Sequence, residues 1–177
     1  MSILIILIIA VSLSMDAFSL SLAYGTLNLS KKQNLTLSII VGIYHFLMPL
    51  IGMALGTKVF NILFIKPVFI VFLILTIIGI QMIVESFKKE KQLVQMNFLQ
   101  LLLFGFAVSI DSFSVGIGLK AINDDYLLCA FLFSISSFVF TYLGLILGKK
   151  INSLIGKAST IIGGIILIVI GIAYLLK

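Results

Sequence analysis

Two aspartates lie where aspartates are expensive. Asp16 and Asp111 each sit inside a long apolar run, in the matching segments Ser14-Met15-Asp16-Ala17-Phe18-Ser19-Leu20 and Ser109-Ile110-Asp111-Ser112-Phe113-Ser114-Val115. An ionised carboxylate in the middle of a bilayer costs on the order of 2.5–3.5 kcal/mol by insertion scales. A carboxyl group in low dielectric favours its protonated form unless a cation accompanies it. A pair of such groups is therefore suited to binding a cation or a proton, and to exchanging one for the other. The bland alternative is that each aspartate only ties its helix to a neighbour. Two matched copies at such a cost favour function.

The residues around the pair suit a hard cation. Ser12 and Ser19 stand at i−4 and i+3 from Asp16, and Ser114 at i+3 from Asp111, on the same helical faces. Ser109 and Ser112 point elsewhere on an ideal helix, and Ser134, Ser136, Ser137 and Thr141 add hydroxyls from a later run. Oxygen ligands of this kind suit Mg²⁺, Ca²⁺ or Mn²⁺, whereas softer metals prefer sulfur and imidazole. Any single membrane serine, however, commonly bonds its own backbone at i−4.

Two further residues extend the candidate set. His45 is the sole histidine and lies one turn before Pro49, which leaves the carbonyl at i−4 without its usual helical donor. It reads as a third ligand or a proton relay, or equally as a buried hydrogen-bonded side chain. Glu85 precedes Lys88 and Lys89 at i+3 and i+4, the spacing of a surface ion pair, or else serves as a carboxylate that recruits cations at a channel mouth. Asp124 and Asp125 fall in a short loop and read as solvated.

The elements that must hold these residues are transmembrane helices. Of the 177 residues 62% are hydrophobic and only 10% charged, and the mean hydropathy is +1.32. A soluble domain carries roughly a quarter charged residues. A bilayer core of about 30 Å needs roughly 20 apolar residues per helix. Six runs qualify, at about 2–25, 35–57, 67–87, 98–119, 126–148 and 157–176. The first run lacks a basic leader, and its motif recurs in the fourth, so it reads as a structural helix and not a secretion signal. The single cysteine, Cys129, excludes an internal disulfide and a cysteine cage and reads as packing.

The runs form two copies. The aspartate motif repeats, Gly52-Met53-Ala54-Leu55-Gly56 pairs with Gly144-Leu145-Ile146-Leu147-Gly148, and Ile83-Val84 pairs with Ile168-Val169. Each copy holds three helices, an odd number, so the second must enter the membrane upside down. The expected fold is all-α, with residues 1–90 and 91–177 as inverted three-helix repeats in one transmembrane domain, a common transporter plan. Each aspartate lies about 13 residues, or roughly 20 Å, along its helix, which in inverted halves puts both within about 5 Å of the midplane. The pairs Gly52/Gly56 and Gly144/Gly148 are GxxxG spacings that allow close helix approach, and Gly163, Gly164 and Gly171 add small spots on the last helix.

Charge gives an orientation. The net charge of +6 comes from twelve lysines and no arginine, clustered between apolar runs, which argues for membrane topology and against nucleic acid. Lys31, Lys32, Lys88, Lys89, Lys91, Lys149, Lys150 and Lys157 lie on one side, against Lys58, Lys66, Lys120 and Lys177 on the other. The positive-inside rule then puts both termini outside.

At these residues the chain resembles a known family, the MntP-type manganese efflux proteins of the LysE transporter superfamily. The resemblance covers nearly the whole chain. It rests on Ser14-Met15-Asp16-Ala17-Phe18, Leu47-Met48-Pro49-Leu50-Ile51-Gly52, Met82-Ile83-Val84-Glu85, Ser109-Ile110-Asp111-Ser112 and Ile162-Gly163-Gly164-Ile165-Ile166-Leu167-Ile168, in that order. It implies a multi-pass exporter of Mn²⁺ in the bacterial cytoplasmic membrane, with Asp16 and Asp111 functional and no cofactor beyond the transported cation. It also implicates acidic residues of helices 2 and 3. The latter falls on Glu85; the former, Glu or Gln in the family pattern, is His45 here. Imidazole in place of carboxylate removes a negative charge and admits a borderline metal.

Three rivals remain open at this stage. An intramembrane aspartyl protease would need a glycine-flanked GxGD motif, which Ser109-Ile110-Asp111-Ser112 lacks, so an enzyme is not expected. An amino-acid exporter of the wider superfamily would need an intramembrane cation for the substrate carboxylate, and none is seen. The third is a structural membrane protein that transports nothing.

Overall fold

The computed structural model describes residues 3–60, 67–87, 96–119, 126–155 and 157–176. They form six helices: α1 (Ile3–Gly25), α2 (Lys31–Phe60), α3 (Pro67–Ser86), α4 (Phe98–Leu119), α5 (Tyr126–Ile155) and α6 (Lys157–Leu175). Four of them, α1, α2, α4 and α5, carry stretches long and apolar enough to cross a membrane, and α3 and α6 carry shorter apolar stretches.

Two helices run beyond the apolar stretches that the sequence marks. α2 begins at Lys31 because Ser30 and Gln33 cap it reciprocally. The Gln33 N–H donates to Ser30 Oγ (3.2 Å), and the Ser30 N–H donates to Gln33 Oε1 (3.3 Å). α5 continues past Gly148 because its polar last turns find partners. Lys149 Nζ donates to the Leu29 carbonyl (3.1 Å), and Asn152 Nδ2 donates to the Thr26 carbonyl. Hydropathy sees the lipid-facing part of a helix, not its capped ends. The turn after α1 passes through Asn28 at φ 58°, a left-handed conformation that asparagine tolerates.

The helices pack α1 on α5, α2 on α4, α3 on α6 and α2 on α5, with lesser contacts of α1 with α6 and of α3 with α4. Exchanging the first three helices for the last three turns α1–α5 into α4–α2 and α1–α6 into α4–α3. The pairs α3–α6 and α2–α5 map onto themselves. Two close approaches follow the same exchange, although the α5–α6 contact has no α2–α3 counterpart of similar extent. A Cβ on Gly144 would meet the Phe18 carbonyl oxygen, and one on Gly52 would meet the carbonyl oxygen of Phe113, the motif mate of Phe18. At the α3–α6 crossing, a Cβ on Gly79 would lie 2.6 Å from the Gly164 carbonyl oxygen, and one on Gly164 would lie 2.6 Å from that of Gly79. In lipid, where apolar side chains gain little by leaving the solvent, such backbone-to-backbone approach is a main source of helix association.

Two buried clusters fill the bundle. The larger draws on all six helices and includes Tyr24, Val41, Met82, Phe104, Leu145 and Leu167. The smaller, with Ile6, Ala10, Leu13, Met53, Cys129 and Phe133, draws on α1, α2 and α5, with Val115 of α4 packed against it.

Candidate cation site

α1 and α4 bring the two aspartates together. Asp16 stands near the middle of one helix and Asp111 near the middle of the other, and their carboxyl groups lie close enough to interact. Asp111 Oδ1 also accepts the Ser112 N–H at 2.9 Å, which fixes the orientation of that carboxyl. Asp111 is half-buried and Asp16 exposed. Carboxylates only accept hydrogen bonds, so two of them in proximity can bond each other directly only through a shared proton.

The flanking hydroxyls divide. Ser12, Ser19 and Ser114 are exposed on the faces that carry the aspartates, and the Ser19 hydroxyl donates to the Met15 carbonyl (2.9 Å). Ser14, Ser109 and Ser112 are wholly buried on other faces. Ser14 Oγ lies 2.7 Å from the Ala10 carbonyl oxygen, 2.9 Å from Ser136 Oγ and 3.0 Å from Ser137 Oγ. Ser136 and Ser137 thus serve the α1–α5 interface, whereas Ser134 lies against Gly42 of α2. Ser109 bonds its own helix, at the Gly105 carbonyl (2.6 Å).

His45 is wholly buried in α2. Its Nδ1 lies 3.0 Å from the Val41 carbonyl oxygen, and its Nε2 has no partner. Among the described residues, no group of three or more His, Cys, Asp or Glu side chains gathers around one point. The structure therefore joins Asp16 to Asp111 and leaves His45 with a local backbone partner. The Glu85 side chain lies outside the described residues, although its backbone belongs to α3.

Two features escaped the residue-by-residue reading. The Ser14–Ser136–Ser137 contact needed knowledge of which helices adjoin. The Gly79–Gly164 crossing carried a signal, since these glycines stand at the same 85-residue spacing as Val84 and Val169.

An all-helical bundle with spans of membrane-crossing length and a carboxyl pair inside apolar helices is a multi-pass membrane protein. Comparison with known proteins narrows the class. The family described as "Mntp: Putative manganese efflux pump" matches residues 28–175. Proteins of that name include one from Bacillus velezensis, 40% identical over 170 residues that cover 96% of this chain and 92% of the relative. One from Bacillus pumilus is 38% identical, covering 95% and 92%. One from Methanobrevibacter smithii is 38% identical, covering 99% and 97%. No solved structure matches the chain. The chain belongs to the MntP efflux-pump family.

Proposed function

We propose that this protein exports a divalent cation, Mn²⁺ in the first place, across the cytoplasmic membrane, and that Asp16 and Asp111 bind it. The observation that carries the reading is the meeting of two matched carboxyl groups from two matched helices inside an apolar bundle. The names of the relatives point to the same cation. Ser12, Ser19 and Ser114 offer hydroxyl oxygens on the same faces, and water completes the shell of a hard cation. His45 stays in the proposed ligand set because its Nε2 is buried and has no partner. Glu85 is proposed as a recruiting carboxylate on the lysine-bearing side.

In this reading all six helices span the membrane as two inverted repeats, residues 1–90 and 91–177, with the aspartates near the midplane and both termini outside. The exchange of helix partners between the halves supports the repeat, and the lysine distribution supports the orientation. Transport is coupled to protons. The empty pair holds a proton, and the arriving cation displaces it, so the same oxygens carry one or the other. Lower pH should therefore weaken Mn²⁺ binding by competition, and binding should release protons.

The test is flux in proteoliposomes together with metal sensitivity in cells lacking their own manganese exporter. Wild type should protect cells against Mn²⁺ and move it across vesicle membranes, whereas Asp16→Asn and Asp111→Asn at equal expression should do neither. Equal protection by the variants would reject the assigned roles.

A further inference from the structure

The aspartate pair has two sides along the helix axes, and they are packed differently. Toward the lysine-bearing end, Leu20 and Ala23 of α1 and Ala107 of α4 are 4%, 5% and 2% exposed. Toward the other end, one turn away, Ser12 and Ser114 are exposed. On α1 the exposed flank continues past Asp16 to Ser19 and the buried flank back to Leu13, so the two ends differ chiefly at α4, where Ala107 and Val108 are buried and Ser114 is exposed. The cover on the first side comes from α2, α3, α5 and α6 together. Leu75, Ile78 and Met82 of α3 and Leu167 of α6 join Leu20, Ala23, Phe104 and Ala107 in one buried cluster. A Cβ on Gly163 of α6 would lie 2.8 Å from the Ala23 carbonyl oxygen. Among the described residues, the cluster at the opposite end contains nothing from α3 or α6.

At the centre of the packed side, the Tyr24 and Phe104 rings stack at 4.3 Å between centroids and 18° between planes. Both side chains are wholly buried, and the Tyr24 hydroxyl has no hydrogen-bond partner. A buried hydroxyl without a partner disfavours the closed packing and would regain water if it opened. At the 95-residue spacing of the two aspartates, the mates of Tyr24 and Phe104 are Leu119 and Ile9, so the aromatic stack has no counterpart at the other end. Polar straps tie the same side. Gln100 Nε2 donates to Gln81 Oε1 (3.2 Å), joining α4 to α3, and Thr160 Oγ1 donates to the Thr26 carbonyl (3.0 Å), joining α6 to the end of α1.

We propose that Tyr24 and Phe104 form the gate between the aspartate pair and the lysine-bearing side, closed in this structure, and that the α3–α6 pair is the lid that holds it shut. The pair is open on the opposite side, through the face that exposes Ser12 and Ser114. The inference rests on the reading of Asp16 and Asp111 as the cation site. In an export cycle this gate opens to load the cation and closes before release. α3 and α6 move as one body because their crossing at Gly79 and Gly164 admits no side chain between the backbones.

The test is cysteine labelling of the full-length protein in oriented membrane vesicles, with Cys129→Ala as background and a membrane-impermeant maleimide as probe. Lys32→Cys marks the lysine-bearing side. Ser12→Cys and Ser114→Cys should react from the side opposite the marker, about ten-fold faster than Leu20→Cys and Ala107→Cys react from either side. Adding Phe104→Ala, or the milder Phe104→Leu, should open Ala107→Cys to the probe from the marker's side while Ser12→Cys keeps its rate, which controls for folding. Ala107→Cys and Leu20→Cys reacting from the marker's side as fast as Ser12→Cys does from the other would overturn the proposal. So would an unchanged Ala107→Cys rate in both Phe104 variants. Labelling needs no bound cation, so loss of the ion assignment and loss of the gate would be seen separately.

Discussion

α1 and α4 carry the same motif, yet they are not equivalent. Both carry an aspartate near the middle, and both are pressed by a glycine of a partner helix, Gly144 against Phe18 and Gly52 against Phe113. Their buried serines differ. Ser14 reaches across to Ser136 and Ser137, whereas its mate Ser109 bonds only its own helix. At the 92-residue spacing of Gly52 and Gly144, the position matching Ser137 is His45. What the halves share is the carboxylate and the close backbone contact, the parts that a paired site and a tight bundle require. What they do not share is the second polar layer: the α1–α5 interface has a hydroxyl cluster, whereas α2, the partner of α4, carries at the position matching Ser137 an imidazole whose Nε2 has no partner.

The comparison can be broken first at the carboxylates. If both contribute to one site, Asp16→Asn and Asp111→Asn should each reduce Mn²⁺ flux to the level of empty liposomes. A large residual flux in only one of them would make the site one-sided.

The glycine contacts come next. Gly79→Val and Gly164→Val place a branched side chain against a carbonyl oxygen of the facing helix, and each should destabilise the protein by about 2 kcal/mol, read as a lower unfolding midpoint in detergent. Equal losses would support a symmetric crossing, and a loss at only one position would break it.

The serines offer a smaller, sharper contrast. Ser14→Ala removes contacts to a neighbouring helix and should cost about 1 kcal/mol, whereas Ser109→Ala removes only a bond within its own helix and should cost a few tenths. The same unfolding measurement decides it. His45→Gln should leave stability nearly unchanged and alter the preference between Mn²⁺ and Zn²⁺ by about three-fold, read from competition in the flux assay.

Much of this protein follows from the order of its residues alone. Six apolar runs separated by lysine clusters name six helices, because length and hydropathy are local properties. Their starts at Pro67, Phe98, Tyr126 and Lys157 were legible for that reason, while the added turns of α2 and α5 were not, since those ends depend on Ser30, Lys149 and Asn152 finding partners. The candidate carboxylates were equally legible, because an aspartate inside such a run is costly wherever it points. Which side chains share a site is a different kind of fact. Spacing along a helix fixes the face but not the neighbour, so only the packing of α1 with α4 could put Asp16 near Asp111 and stack Tyr24 on Phe104. Contacts between helices distant in sequence are set by how backbones fit, and that fit exists only once the bundle has formed.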